Sequence, residues 1–204
     1  MRREVDIARV RALAAGSEGR IAIVGMPAPG QPRFVLDLHF ITAGSDRYPL
    51  ERRRTSRLAI DLAPRHPFAP PMATVLTPVF HPHVFASGLV CIGSNWLPSE
   101  GMDLFVQRIV RLLAFDPLLM NPHSVANGAA QAWYQRVQRL HPDAFPSDAA
   151  AVALASGARA VEEPAAAPRV VRHCPQCATG LRLPTGRSGA VRCPRCGHAF
   201  EAST

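Results

Sequence analysis

"HPFAPPMATVLTPVFHPHVFASGLVCIGSNWLP", residues 66–98, contains the most informative pattern of this chain. A proline-rich turn opens it, and the apolar run at 73–79 that follows is rich in β-branched residues, as in a strand. After Phe80 the periodicity ends, and glycine, histidine and a single cysteine, Cys91, follow. The pattern predicts a strand that runs into an irregular, polar loop around one thiol.

Upstream of this stretch the sequence predicts one helix and three more strands. Apolar residues at helical spacing indicate a helix over residues 3–15, with arginines on its outer face: Arg2, Arg3, Arg9 and Arg11. Aliphatic and β-branched runs, separated by turn residues, predict strands at 20–26, 33–41, 56–62 and 73–79. The spacing of these runs favours an antiparallel meander.

Downstream, helical periodicity returns at Met102. Five residues are predicted to form an apolar face there: Leu104, Phe105, Ile109, Leu112 and Leu113. Another helix is expected to begin near Ser124 or Asn127, either of which is a suitable N-cap, and to end near Leu140. From residue 146 to 168 the composition shifts to alanine, proline and small polar residues, which predicts a linker, with a frayed helix at its start as an alternative. The expected division is 1–145, 146–168 and 169–204.

The bulk composition indicates a globular protein with a core. Apolar residues make up 48% and charged residues 19% of the 204 residues, and no run of eighteen apolar residues predicts a membrane span. The N-terminus lacks the apolar core of a signal peptide, so a cytoplasmic location is expected. The net charge is +8, yet every basic residue is arginine and the charge is scattered. This pattern is typical of a GC-rich bacterial genome, and nucleic-acid binding is not expected.

Four of the five cysteines form two C-x2-C pairs with fifteen residues between them: Cys174, Cys177, Cys193 and Cys196. Disulfide or redox pairs are the alternative interpretation, but a cytoplasmic chain with two such pairs favours a metal. Four thiolates satisfy tetrahedral zinc, so one structural zinc is expected as cofactor, with the intervening residues as a hairpin. The segment resembles the zinc-ribbon fingers of bacterial proteins.

If these four cysteines bind zinc, Cys91 is the one cysteine that has no role in the metal site. One interpretation is a small buried hydrophobe between Val90 and Ile92. The other is a nucleophile in an open loop, where Gly88 lets the backbone approach closely. Polar side chains that are expected to converge on this thiol are His81, His83, Asn95 and Ser124. Such a thiol suits acyl transfer through a thioester.

Four motifs in order resemble the ubiquitin-conjugating enzymes. They are His66-Pro67-Phe68-Ala69-Pro70-Pro71, His81-Pro82-His83, Gly88-Leu89-Val90-Cys91 and Trp96-Leu97-Pro98. The family typically reads Tyr-Pro-Phe-x-Pro-Pro, His-Pro-Asn, Gly-x-Ile-Cys and Trp-Ser-Pro, with the same interval from histidine to cysteine. "NPHSVANGAAQAWY", residues 121–134, is similar to the family's Asn-x-x-Ser-x-Ala-Asn segment. The resemblance covers roughly residues 1–140.

The resemblance implies an α+β fold of the UBC type and a transferase activity. Cys91 would accept the C-terminal glycine of a ubiquitin-like protein from an activating enzyme and pass it on to an amine or a ligase. The implied partners are the modifier, the activating enzyme and a deconjugating peptidase of the same operon, in a bacterial ubiquitin-like system. The activating enzyme would contact the four arginines of the first helix, and ligases the loops of Phe68, Leu97 and Pro98.

The chain also departs from the family pattern. His83 replaces the asparagine that orders the loop or supports the oxyanion, so its imidazole would act as oxyanion donor or base. The alternative is a surface residue without a role. Asn95 is a second possible donor. Ser124 matches a gate position near the thiol, although a helix cap explains it equally. His81 is expected to stabilise the loop through backbone hydrogen bonds, as it does in the family.

Two other classes of protein remain as alternatives. The first is a binding module, a family member that has lost catalysis and only carries a modifier or partner; the retained Cys91 argues against it. The second is a zinc-ribbon nucleic-acid adaptor, which the arginine-rich C-terminal segment favours and its single aromatic residue, Phe200, disfavours.

Overall fold

The structure is a computed structural model that describes residues 2–28, 31–93, 96–157, 169–184, 186 and 188–203. The chain divides into two compact units, Met1–Gly157 and Ala158–Thr204. We refer to them as the first unit and the C-terminal unit. None of the helices in the described ranges is both long and apolar enough to cross a membrane.

The first unit is built on a four-stranded antiparallel sheet in the order β1-β2-β3-β4, which confirms the predicted meander and the α+β fold. The strands are β1 (Ile21–Gly25), β2 (Arg33–Leu38), β3 (Ser56–Asp61) and β4 (Met72–Val75). Side chains alternate across the sheet, so that Phe34, Leu36 and Leu38 point into the core while their neighbours face outward. The opposite face carries cross-strand ion pairs such as Arg57–Asp37.

In the described part of the first unit the α-helices are α1 (Arg2–Gly16), α2 (Met102–Leu113), α3 (Gly128–Leu140) and α4 (Ala149–Gly157), and a short 3-10 helix spans Pro142–Ala144. Helix α2 is the centre of the core, because Phe105, Val106 and Ile109 are completely buried there together with residues of the sheet. The predicted apolar face of α2 was wrong in one residue, since the Leu104 side chain is 48% exposed. Helix α3 begins after Asn127, whose side chain accepts a hydrogen bond from the Ala130 backbone N–H.

Helix α1 is fixed to the start of α2 through a buried carboxylate, since Asp6 Oδ1 accepts a hydrogen bond from the Met102 backbone N–H at 3.4 Å. Asp6 is completely buried, and its Oδ2 accepts hydrogen bonds from His66 Nε2 at 2.8 Å and from Arg2 Nε at 3.1 Å. The prediction that Arg2 is fully exposed was therefore wrong, because Arg2 is half-buried and paired. Helical periodicity counts apolar residues only, so it did not indicate a polar side chain as the anchor of this helix.

A second apolar cluster holds α3 to the segment that follows it. Phe115, Trp133, Tyr134 and Phe145 are all buried there, and the rings of Phe115 and Tyr134 stack with centroids 5.6 Å apart. Tyr48 closes the cluster, and its hydroxyl donates a hydrogen bond to the Ala144 carbonyl oxygen at 2.6 Å. Trp133 and Tyr134 thus anchor α3 in this cluster.

The first part of the predicted linker is helical. Residues 149–157 form α4, which packs against α2, and Ala151 is completely buried in the core. Just before α4, the Asp148 carboxylate accepts hydrogen bonds from the backbone N–H groups of Ile41 and Ala150. The start of the predicted linker is therefore a helix that packs against α2. Residues 158–168 lie outside the described part, and the three-part division of the chain stays a prediction.

The C-terminal unit contains two hairpins, one from β5 (Arg169–His173) and β6 (Gly180–Pro184), the other from β7 (Ser188–Arg192) and β8 (Ala199–Ser203). The expected hairpin between the two cysteine pairs is absent among the described strands. Each C-x2-C pair instead forms the turn of its own hairpin, since β6 pairs back with β5 and β7 pairs forward with β8.

Candidate active site

The backbone around Gly88 brings the Cys91 segment against the sheet. Gly88 has φ +84°, and a Cβ at this position would lie 2.4 Å from the Val75 carbonyl oxygen, so only glycine fits. The Val90 N–H donates to the Ala73 carbonyl oxygen at 2.8 Å, and the Cys91 N–H donates to that of His83 at 2.8 Å. Cys91 therefore leaves the edge of β4 at a fixed position, with its side chain partly exposed.

His81 holds this loop from the inside. It is completely buried; its Nε2 donates to the Leu112 carbonyl oxygen at 2.8 Å, and its Nδ1 accepts from the His83 backbone N–H at 3.0 Å. Burial lowers the pKa of His81 to about 3, with a smaller contribution from the neighbouring His83. His81 is therefore a neutral side chain that connects the loop to the end of α2.

His83 connects the same loop to the segment before α3. Its Nδ1 lies 2.7 Å from the Ser124 carbonyl oxygen, and its Nε2 lies 3.1 Å from the Asn121 backbone nitrogen. Since the carbonyl only accepts and the N–H only donates, the proton is on Nδ1. Burial lowers the pKa of His83, which keeps the ring neutral. Both ring nitrogens are occupied, so the predicted role as oxyanion donor or base requires one of these bonds to open.

Ser124 is the polar side chain next to the thiol. Its Oγ lies 3.3 Å from the Cys91 Sγ, although the two residues are 33 positions apart in the chain. Asn127 caps α3 instead of Ser124, which leaves the Ser124 hydroxyl directed at the sulfur. Asn95 lies outside the described residues. The structure thus brings Ser124 to the thiol, with His83 and His81 behind the loop.

An open cleft of about 80 Å³ runs beside Cys91. Its lining includes Cys91, Gly93 and Ser124 on one side and Arg108, Ile109 and Leu112 of α2 on another. Arg108 was missed by the sequence analysis. The sequence signal for Arg108 is weak, because it lies four positions before the buried Leu112 and resembles any charged residue on the exposed side of a helix.

The predicted partner surfaces are distributed around the unit. Phe68 is 78% and Leu97 65% exposed, and Pro98 is exposed as well. Trp96, between the two loops, is anchored by a hydrogen bond from its Nε1 to the Pro67 carbonyl oxygen at 2.7 Å. Of the four predicted arginines of α1, the exposed ones are Arg3, Arg9 and Arg11.

The four C-terminal cysteines converge in the C-terminal unit. Their sulfur atoms all lie within 4.8 Å of one another, with Cys174 and Cys196 at 3.7 Å and Cys177 and Cys193 at 3.6 Å. These distances exclude disulfides, in which the sulfur atoms are about 2.05 Å apart. They agree with the edge of a tetrahedron of thiolates with metal–sulfur bonds of about 2.3 Å, which is about 3.8 Å. The cluster is therefore positioned to bind a metal ion.

Comparison with known proteins gives consistent matches to one family. The family model "Ubiquitin-conjugating enzyme" matches residues 35–145, more than half of the chain. Ubiquitin-conjugating enzyme E2 1 of Caenorhabditis elegans is 30% identical over 108 residues, which cover 52% of this chain and 54% of that protein. Ubiquitin-conjugating enzyme E2 T of Mus musculus is 34% identical over 86 residues, which cover 42% of each chain.

Among solved structures, a ubiquitin conjugating enzyme from Trypanosoma cruzi matches with a TM-score of 0.47 and 16% identity. The match covers 71% of this chain and 94% of that one. The chain spans about half the length, or less, of the curated relatives that it matches.

Proposed function

Because the chain belongs to the ubiquitin-conjugating enzyme family, we propose that it receives a ubiquitin-like protein as a thioester on Cys91 and transfers it to a target. The observation that carries this proposal is the position of Cys91, whose sulfur lies beside an open cleft and 3.3 Å from the Ser124 hydroxyl. A thiol that served only as a buried hydrophobe would have no need of a cleft or of a hydroxyl neighbour.

The chemistry has two steps. In the first, the Cys91 thiolate attacks the carbonyl carbon of the modifier's C-terminal glycine, which is held as a thioester by the activating enzyme. A new carbon–sulfur bond forms, the old one breaks, and the leaving sulfur takes up a proton. In the second step an amine attacks the Cys91 thioester, loses a proton, and releases the Cys91 thiol.

The residues around the thiol would act mainly by position. His81 and His83 hold the loop through backbone groups of α2 and of the 121–124 segment. The Ser124 hydroxyl is the group best placed to hydrogen-bond the thiolate or the developing oxyanion. His83 is therefore a positioning residue in this proposal, and a direct role for it or for Asn95 is secondary.

The partners follow from the same assignment. Exposed Arg3, Arg9 and Arg11 on α1 would contact the activating enzyme, with half-buried Arg2 at the edge of that surface. The exposed Phe68, Leu97 and Pro98 would receive a ligase or target. The chain has arginines but no lysine, which supports a bacterial conjugation system in the cytoplasm. A deconjugating peptidase encoded nearby belongs to the same proposal.

For the C-terminal unit we propose one structural zinc, bound by Cys174, Cys177, Cys193 and Cys196. The sulfur separations fit thiolates around zinc, and four protein ligands leave no position for a reacting group. Zinc would supply the folding energy of this small unit, in which the described strands bury few side chains.

The decisive experiment is intact-mass analysis of the chain co-expressed with its neighbouring genes. The expected result is a mass increment equal to that of a small protein, which disappears on treatment with a thiol reductant. The control is Cys91→Ala, in which the increment should be missing. An increment that persists in Cys91→Ala would contradict the proposed nucleophile, because the modifier would then be attached to another residue.

A further inference from the structure

We propose that Arg108 selects the modifier by the charge of its C-terminal tail. A tail with an acidic side chain close to its terminal glycine would be favoured over a tail with a basic side chain at the same place. This inference rests on the proposed function, because it concerns the substrate that Cys91 accepts.

Arg108 occupies the route that such a tail must take. It lines the cleft beside Cys91 from the side of α2. Among the described residues that line this cleft, it is the only one with a fixed charge, since burial lowers the pKa of His83 and keeps that ring neutral. A tail that delivers its terminal carbonyl carbon to the Cys91 sulfur lies in this cleft and therefore meets the guanidinium group.

The guanidinium group is held in place before any substrate arrives. Arg108 Nη2 donates to Glu100 Oε2 at 3.0 Å, and the guanidinium carbon lies 5.4 Å from the centroid of the Phe105 ring. Phe105 is itself fixed edge-on against Trp96, with ring centroids 5.7 Å apart. The Arg108 side chain is only 20% exposed. A cation that is already ordered loses little conformational entropy when a partner binds.

The two members of the Arg108–Glu100 ion pair are not equally placed relative to the cleft. Of the two paired residues only Arg108 belongs to the lining of the cleft, so the positive member of the pair is the one that a tail in the cleft would meet. Charges at partly desolvated positions interact more strongly than exposed ones, because the effective dielectric constant there is about 20 instead of 80. A basic side chain in the tail would therefore be repelled and an acidic one attracted. The net charge of +8 acts in the same sense during encounter.

The test uses short synthetic peptides, so that no activating enzyme is needed. Hexapeptide ethyl thioesters ending in glycine are made identical except for Glu, Gln or Arg at the third and fourth positions from the end. The Cys91 thiolate attacks the thioester carbonyl, a new carbon–sulfur bond forms, and ethanethiolate leaves and takes up a proton. Intact mass gives the rate of acylation, and the signal of Cys91→Ala is subtracted to remove acylation of other cysteines.

We expect the acidic peptide to react about tenfold faster than the basic one, with the neutral peptide between them, since one charge-assisted contact is worth about that factor. The preference should shrink as salt rises from 0.05 to about 0.5 M, because added ions screen the charge. Replacing Arg108→Gln together with Glu100→Gln should remove the preference while keeping paired amides in place of paired charges.

Two further variants control the interpretation. Arg108→Lys keeps the charge and should keep most of the preference. Arg139→Gln removes an equally charged, exposed arginine at the end of α3 and should change nothing. Thermal melting of each variant shows that it is folded.

Equal rates for all three peptides on the wild type would overturn the tail selection and leave the proposed function intact. A preference that survives in the double variant would also overturn it, because the selection would then arise elsewhere. If no peptide acylates Cys91 at all, the proposed nucleophile fails and this inference fails with it.

Discussion

The Ser124 hydroxyl oxygen lies 3.3 Å from the Cys91 sulfur, across 33 positions of sequence. The contact is maintained by His83, which binds the Ser124 carbonyl oxygen through Nδ1 and, through its own carbonyl oxygen, accepts the Cys91 N–H. One residue, His83, therefore connects the Cys91 segment to the segment that faces it, through its backbone on one side and its ring on the other. The predictions below follow from this arrangement and from the metal cluster.

Replacing the Cys91 sulfur with oxygen should make the adduct with the modifier resistant to thiol reductant. With activating enzyme, ATP and modifier, the wild type should form an adduct that a thiol reductant removes. Cys91→Ser should form an oxyester that resists thiol reductant, because an alkoxide is a poorer leaving group than a thiolate. Gel mobility with and without reductant distinguishes the two. A reductant-sensitive adduct on Cys91→Ser would mean that another cysteine is loaded.

A lysine placed beside the thiol should capture the modifier. The chain has no lysine, so its side chains offer no amine that readily loses its proton. In Ser124→Lys, proximity should convert the thioester into a self-conjugate that survives reductant. Arg139→Lys, which places a lysine at an exposed position on α3, is the matched control and should form no self-conjugate. A self-conjugate of equal yield in both variants would show that proximity to Cys91 is not the cause. Asn95 lies outside the described residues, so Ser124 is the better position.

His83 should matter more for discharge than for loading. Loading and discharge both form a tetrahedral oxyanion at the carbonyl carbon, but in discharge the attacking amine must also lose a proton, so this step depends more on an ordered loop beside Ser124. His83→Ala should slow discharge to a free amine by about ten- to a hundredfold, the usual cost of misplacing reacting groups by about 1 Å. Single-turnover discharge of the preloaded protein measures this.

His123→Ala is the control for that experiment, because it removes an exposed histidine from the same segment. His83→Asn keeps a donor and an acceptor and should recover part of the rate. Equal discharge in wild type and His83→Ala would reduce His83 to a packing residue.

The first unit should lose stability as the pH falls below 6.5. Burial lowers the pKa of His81 to about 3, so the folded chain keeps this ring neutral while the unfolded chain takes up a proton below the ordinary value of 6.5. The unfolded state then binds more protons, and the free energy of unfolding decreases by up to about 1.4 kcal/mol per pH unit. The lowered pKa of His83 acts in the same direction, and the raised pKa of Glu100 opposes it nearer pH 5.

Urea unfolding between pH 7.5 and about 5.5 tests this prediction. His81→Gln should be less stable at every pH but should show a smaller slope, because one of the two buried rings no longer titrates. His123→Ala should keep the slope of the wild type. A slope that is identical in His81→Gln would exclude His81 as its source.

Removing one cysteine of the cluster should unfold the C-terminal unit alone. Cys174→Ser should reduce the zinc content from one per chain to nearly none and expose the amides of residues 169–203 to hydrogen exchange. The first unit should keep its melting temperature, since its core lies within residues 2–157. Metal analysis of the freshly purified protein comes first, and absence of zinc there would contradict the assignment. A chain that ends at Gly157, and so keeps α4 but lacks the four cysteines, should bind no zinc.

The sequence predicted those parts of the molecule that depend on local pattern. Strand residues such as Phe34, Leu36 and Leu38 alternate because a pleated strand has a period of two, and this alternation is visible without a structure. The C-x2-C spacing likewise places two thiols on one turn. Where a local pattern was ambiguous the prediction was incomplete, as at α4, whose alanine-rich sequence reads equally as a linker or as a closely packed helix.

Local sequence patterns were enough to predict the four-stranded meander, the close glycine approach before Cys91 and the paired thiols, because each follows from neighbours in the chain. Which polar groups meet depends on how the chain folds. Ser124 at the sulfur, Arg108 in the cleft and Asp6 under α1 each come from a different part of the chain. Hydrogen bonds and ion pairs act over about 3 Å, so these partners are set by how the helices pack on the sheet and not by their spacing along the sequence.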